Sequence, residues 1–324
     1  MNIIAYRLPD EERAYIYEAG KSEDMNFSDG KFKFVISPFD PQKRVCQYPL
    51  ETQIADIPQN ILSENYIGAH FEEKTQSEYK EYISVIKEYL ETDVSKKIVA
   101  ARRSIREGAF DPNKIFAALC REYPDAFVFF ISTEEFGSWI GASPELLLKR
   151  IGDQISTMSL AGTRASGKIE PWDRKNIKEQ KIVTDYITEI LKLSGLTPIN
   201  KEEGTRKAGR IEHLMTIIEA ENKDDVDLCK LLKNLSPTPA LSGFPKEDAL
   251  EIIKRYEGDR QLYGGYLGPI YNNGDFRLNA FLRCAYLTPF SAILFAGGGI
   301  TCFSDSEEEW KETEKKLETI GRIL

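Results

Sequence analysis

Residues 126–160 read AFVFFISTEEFGSWIGASPELLLKRIGDQISTMSL, and this stretch decides the fold class. It holds four short runs rich in β-branched, aromatic and aliphatic residues, at 126–131, 137–141, 146–151 and 154–160, punctuated by Gly137, Pro144 and Gly152-Asp153. Each run has strand length and is too short for a helix. Strands that follow one another in pairs, with no helix between them, favour an α+β layered sandwich over a doubly wound parallel sheet.

The flanking sequence agrees. Upstream, Thr75 and Glu78 have capping-box spacing, and Tyr79, Tyr82, Ile83, Ile86, Tyr89 and Leu90 follow at helical spacing, which predicts a helix ending near Glu91. Lys97 to Arg102 reads as a strand, and Asp111-Pro112 opens a helix that Pro124 stops. Downstream, helices are expected at about 172–194, 224–234, 246–257 and 306–322. Strands are expected at Arg210 to Ile218, Phe276 to Leu287 and Ala292 to Ala296. Residues 1–70 carry short strand candidates such as Phe32 to Ile36. No repeat or Pro/Gly/Ser-rich linker divides the chain, so a single domain over 1–324 is expected, with a less recognisable part at about 1–70.

Composition narrows the function. The 324 residues are 41% hydrophobic and 29% charged, as in folded domains. With 43 Lys and Arg against 52 Asp and Glu, the formal charge of −9 argues against nucleic acid or an anionic membrane as a partner, while leaving room for a local basic pocket. Five scattered cysteines without a C-x-x-C disfavour a disulfide framework or structural zinc, and a reducing compartment fits better. The first residues lack a basic-then-apolar leader, and no run of about 18 apolar residues occurs, so a cytoplasmic location is expected.

Three clusters ask for a chemical explanation. Glu179 shares a helical stripe with Val183, Tyr186, Ile190 and Leu193. If the stripe is buried, the carboxylate must be protonated, paired or bound to a cation; an exposed first-turn position is the ordinary alternative. Ser306 and Glu309 have capping-box spacing, and Glu309, Glu312 and Lys316 lie on one arc beside Trp310, Leu317 and Ile320. They either point into a cleft or form a solvated face. Gly297-Gly-Gly299, after the strand ending at Ala296, is expected as a turn able to present N–H groups to an anion. As a nucleotide fingerprint it is weak, being neither G-x-G-x-x-G nor the opening of a βαβ unit. Lys97, His213 and Arg283 stand in apolar strand surroundings, and Arg283 alternates with Arg277, Asn279 and Phe281, so an exposed sheet face is equally open to it. With only His70 and His213 present, oxygen ligands and magnesium are favoured over zinc.

Read together, these segments resemble the chorismate-utilising enzymes, and most closely the isochorismate synthases. The resemblance rests on Lys97-Ile-Val-Ala-Ala-Arg102, Gly141-Ala-Ser-Pro-Glu-Leu-Leu147, Leu160-Ala-Gly-Thr163, Lys178-Glu-Gln-Lys-Ile-Val183, His213-Leu214, the stretch from Pro237 to Pro245, Asp259-Arg260 through Gly265, Arg283-Cys284, Phe295 to Ile300 and Glu309-Trp-Lys-Glu-Thr313, in family order. It implies an α/β/β/α sandwich whose cleft binds chorismate and magnesium. On the same basis Lys97 matches the general base, which must be neutral to deprotonate water, and Glu145 the general acid for the departing C4 hydroxyl. Glu179 and Glu312 match the magnesium carboxylates. Gly162, Thr163 and Gly297 are implied to contact substrate closely, Arg283 and Lys316 to bind its carboxylates, and His213 to lie near the reacting ring.

Within that family, Ala161 occupies the place of the nucleophilic lysine of many aminodeoxychorismate synthases, and Ala240 stands where anthranilate and salicylate synthases usually carry threonine. Lys97 supports water as nucleophile, so no obligatory glutaminase subunit is expected. The resemblance therefore implies a reversible isomerase acting on chorismate and isochorismate. Salicylate synthase, a silent ligand-binding relative and a nucleotide-binding protein are the alternatives.

Overall fold

The computed structural model describes residues 1–27, 29–63, 72–91, 96–167, 169–208, 211–222 and 226–324. The strands are β1 (Asn2–Arg7), β2 (Tyr15–Ala19), β3 (Glu23–Asp24), β4 (Lys33–Ser37), β5 (Cys46–Gln53), β6 (Lys97–Glu107), β7 (Phe127–Thr133), β8 (Gly137–Ser143) and β9 (Leu146–Ile151). They continue with β10 (Gln154–Ala165), β11 (Pro198–Ala208), β12 (Ile211–Glu221), β13 (Gly243–Phe244), β14 (Tyr266–Ile270), β15 (Phe276–Ala280), β16 (Cys284–Leu287) and β17 (Ser291–Ile300). The helices are α1 (Gln76–Leu90), α2 (Pro112–Glu122), α3 (Arg174–Leu193), α4 (Leu228–Leu235), α5 (Lys246–Glu257) and α6 (Ser306–Gly321).

Every strand pairing described is antiparallel. One sheet runs β13-β6-β17-β16-β8-β7-β1-β2-β5. The other runs β11-β12-β10-β9-β15-β14-β4-β5-β3. Strand β5 belongs to both: Cys46 to Pro49 pair with β4, and Leu50, Thr52 and Gln53 with β2. The sheets face each other across an aromatic core in which Phe129 and Phe281 meet edge-on at 4.7 Å and Trp139 stands edge-on to Phe281 at 5.4 Å. Helices α2 and α6 cover the outer face of the first sheet and α3 and α4 that of the second, giving the expected α/β/β/α layering. Strand β1 is internal, between β2 and β7. At its end the buried Arg7 guanidinium donates to the carbonyls of Tyr123, Pro124 and Ala126.

Local chemistry explains the boundaries. Thr75 and Glu78 close a full capping box on α1; Asp111 caps α2 with Pro112 in its first turn; Asp173 caps α3 through the Asn176 N–H. Asp305 rather than Ser306 caps α6, accepting from the Glu307 and Glu308 N–H groups, so the expected Ser306/Glu309 box does not form. The strand expected over Phe276 to Leu287 is two strands, broken where Arg283 adopts a φ of 48°. Strands β11, β14 and the two-residue β13 have no counterpart among the expected strands. The first is charge-rich, and Gly268 and Pro269 interrupt the second. The expected strand start at Arg210, the helix start at 224 and His70 lie outside the described residues. No described helix is long and apolar enough to cross a membrane.

Candidate active site

A cavity of about 70 Å3 opens at one end of the two sheets, where β10, β12 and β17 meet the loops at 143–146, 240–241 and 281–283. Its wall contains Glu145, Gly162, Thr163, Glu179, His213, Ala240, Arg283, Gly297 and Lys316. Lys97 and Glu312 are not in that wall but join it through ion pairs, Lys97 Nζ to Glu179 at 2.7 Å and Glu312 to Lys316 Nζ at 2.7 Å. Residues up to 219 positions apart in the chain are therefore brought to one site.

Glu145 follows Pro144 between β8 and β9. Its backbone carbonyl is held by the Ala280 N–H and the buried Asn279 side-chain amide, both at 3.0 Å, which turns the side chain inward. The carboxyl is 2% exposed and its Oε1 has no hydrogen-bond partner. Burial pushes it up to about 8, with Lys97 and Arg283 offsetting only part of the effect. At neutral pH this group carries its proton, which suits a donor.

The break at Arg283 shapes the cavity. Arg283 is not on an exposed sheet face: the left-handed turn sends its guanidinium into the cavity, where it is 8% exposed and donates from one Nη to His213 Nε2 at 3.0 Å. The other ring nitrogen, Nδ1, lies 2.8 Å from the Gly162 carbonyl and 3.2 Å from the Thr163 hydroxyl. A carbonyl can only accept and a guanidinium only donate, so the ring is the neutral tautomer with its proton on Nδ1. Burial, then Arg283 and Lys316, push the imidazole down to about 3. His213 therefore holds Arg283 in place and has no proton to give from Nε2.

Gly162 and Thr163 form a bulge in β10 opposite β12. Gly162 has a φ of 69°, and a Cβ there would meet Asn176. The Thr163 N–H is taken by Asn176 Oδ1 at 2.9 Å, so the close backbone contact expected of it is already used within the protein.

The Gly297-Gly-Gly299 segment is not a turn. It is the continuing edge of β17, paired with Val99 to Ala101 of β6. Its glycines are needed because side chains lie against the backbone: a Cβ on Gly299 would sit 2.2 Å from Glu179 Oε1, and one on Gly298 2.8 Å from Glu309 Oε2. Lys316 Nζ closes this wall by donating to the Gly297 carbonyl at 2.8 Å.

Helix α3 buries Asn176, Glu179, Gln180, Val183, Ile187 and Leu191. The buried stripe is thus rotated from the expected one, and Leu193 is exposed, while Glu179 is inside. Glu309 is also inside, 2% exposed; it accepts from Ser304 Oγ at 2.7 Å and pairs with Lys175 Nζ at 2.5 Å through Oε1, leaving Oε2 without a partner. Burial and neighbouring Glu312 raise its carboxyl. Glu312 goes the other way: burial opposes its charge, but Lys316 and Lys175 outweigh burial and hold it down to about 2. The family resemblance gives Glu309 no role of its own. Its signal was the i,i+3 spacing to Glu312 on one helix arc.

Glu179, Glu309 and Glu312 supply hard carboxylate oxygens, one of them orphaned and buried, beside a backbone cleared of side chains. This donor set fits a magnesium-like cation. Among the described residues no three such side chains converge closely enough to form a ready-made cage, each carboxylate being held instead by a lysine.

Residues 36–324 match the family described as chorismate binding enzyme. The chain belongs to the chorismate-binding enzymes. It is 31% identical over 230 residues to the isochorismate synthase EntC of Escherichia coli (strain K12), covering 67% of this chain and 59% of that one. It is 32% identical over 241 residues to the salicylate biosynthesis isochorismate synthase of Pseudomonas aeruginosa, covering 70% of this chain and 50% of that one. These alignments thus span between half and three-fifths of the curated relatives' length. In fold it is similar to the Bacillus anthracis 2,3-dihydroxybenzoate-specific isochorismate synthase DhbC, with a TM-score of 0.81 at 24% identity over 99% of this chain and 95% of that one. The menaquinone-specific isochorismate synthase MenF of Escherichia coli gives 0.78 at 19% identity, over 99% and 88%. The family match takes in all the cavity-lining segments.

Proposed function

We propose that this chain interconverts chorismate and isochorismate with magnesium as cofactor. The observation that carries the reading is the buried Glu145, protonated at neutral pH, in a cavity that also presents Arg283 and Lys316 and has Lys97 at its edge. A dianionic substrate needs such cations, and loss of a hydroxyl needs such an acid.

Arg283 and Lys316 bind the substrate carboxylates, with His213 and the Gly162 carbonyl fixing the guanidinium plane. Lys97, 2.7 Å from Glu179, receives the proton of the water that attacks C2; the ring double bonds shift, and Glu145 gives its proton to the hydroxyl leaving C4. In the reverse direction the two residues exchange roles. Glu179, Glu309 and Glu312 would hold magnesium, which when bound supplies positive charge to a substrate carboxylate. Ala161 offers no amine for a covalent route, and Ala240 keeps the wall at that point apolar. Water being the nucleophile, no glutaminase subunit is required.

Incubation with chorismate and magnesium, followed by chromatographic separation of products, tests this. Isochorismate in equilibrium with chorismate is expected. Salicylate and pyruvate as dominant products, or anthranilate formed with ammonia, would overturn the assignment.

A further inference from the structure

The three glutamates at the floor of the site come from two helices, α3 and α6, and each already has an ammonium partner. Lys97 holds Glu179 and Lys316 holds Glu312, and both lysines are themselves well buried, at 1% and 14% side-chain exposure. Lys175 differs. It stands in the first turn of α3, its side chain is 28% exposed, and it reaches over to Glu309 on α6, which is 2% exposed. It is the most solvent-accessible of the three lysines, and all three glutamates act on its charge, Glu309 first, then Glu179 and Glu312. The carboxylate it holds is also the one with an orphaned oxygen, Glu309 Oε2, buried against Gly298.

We propose that Lys175 is a resident stand-in for the divalent cation: its ammonium neutralises the glutamates while the metal is away, and magnesium binds by displacing it from Glu309 into solvent. This rests on the magnesium reading above and adds to it an exchange. Two positive groups compete for one set of carboxylates, so they cannot both be seated. A buried carboxylate left alone is costly, which gives the lysine a reason to be there. A partly exposed, four-carbon stem in the first helical turn gives it a way out. The exchange also keeps the acidic floor from unfolding the site in the metal-free protein.

Two measurements on the whole chain test this. Calorimetric titration with magnesium alone is expected to show Lys175→Gln binding about tenfold or more tighter than the unaltered protein, because the competitor is gone. Lys181→Gln, which removes an exposed lysine paired with Asp185 further along α3, should leave the affinity unchanged. Amine labelling read by mass spectrometry should modify Lys175 several-fold faster with magnesium than with a chelator. If Lys175→Gln folds poorly without metal, the double variant Lys175→Gln/Glu309→Gln keeps the test open. It should recover metal-free stability and lose the tighter binding. Equal or weaker affinity in Lys175→Gln, a matching gain in Lys181→Gln, or labelling of Lys175 indifferent to magnesium would overturn the exchange while leaving the magnesium site standing. Failure of every protein to bind magnesium would overturn both.

Discussion

Replacing Glu145 by Gln should stabilise this protein and disable it. The carboxyl is fully enclosed, and burial raises it from an ordinary 4.5 to about 8. In the unfolded chain the same group ionises near its ordinary value. Between the two, rising pH removes the proton from the unfolded state while the folded state keeps it. The stability contributed by the protonated form is therefore complete below about 4.5 and lost progressively until about 8, where the loss levels off at about 5 kcal/mol. Glutamine is nearly isosteric, neutral at every pH, and escapes that loss. Urea unfolding of both proteins should give stabilities within about 1 kcal/mol at pH 5, with the variant ahead by about 3 kcal/mol at pH 7 and about 5 kcal/mol at pH 9. Turnover of chorismate by the variant should fall by a factor on the order of 100 to 10,000, the usual worth of a positioned acid. A stability gap that does not change with pH, or a variant less stable at pH 9, would show that Glu145 is not held protonated.

With His213 pushed down to about 3, kcat/KM should show no imidazole limb between pH 5 and 8, and the forward reaction should instead decline above about 8 as Glu145 ionises. His213→Gln, which can still accept from Arg283, should raise KM less than His213→Leu, with steady-state kinetics as the measure. Gly299→Ala places a methyl group 2.2 Å from Glu179 Oε1 and 2.7 Å from Lys97 Cε; a stability loss of about 1–3 kcal/mol in thermal unfolding, with turnover reduced more than tenfold, is expected. Chelation should abolish turnover, and Glu179→Ala or Glu312→Ala should severely weaken magnesium binding by calorimetry; unchanged binding in both variants would remove the metal assignment.

Much of the architecture was legible because it is local. Thr75 and Asp111 announce helix starts by a side chain that must find an N–H within three residues, and the paired strands at 126–160 announce themselves by length and punctuation. What was illegible depends on distant partners. Gly297 to Gly299 read as a turn because glycine usually marks one; only the approach of Glu309 and Glu179 from two helices explains why a strand needs glycine at 298 and 299. Arg283 alternated properly with its neighbours, yet the backbone turns left-handed there, with the guanidinium seated against a histidine 70 residues earlier. Glu179 lay on the correct helix but on a stripe drawn around Leu193, which is exposed; the α3 face is set by what β10 and β12 offer it. The candidate site residues were recognisable as a family pattern, whereas their lysine–glutamate pairing depends on the approach of α3 and α6 and has no signal in the sequence.

The placement of β1 has a practical bearing on where this protein can be cut. The family match begins at residue 36, but β1 lies between β2 and β7 in the interior of a sheet, and Arg7 satisfies three carbonyls that flank the start of β7. A fragment begun at the likeness boundary would expose the hydrogen-bonding row of β7, a hydrophobic strand, as a naked edge open to other chains, and would strand those carbonyls. The segment that ancestry has marked and the segment that can stand by itself are different lengths, and cloning limits drawn from the first would yield an aggregate.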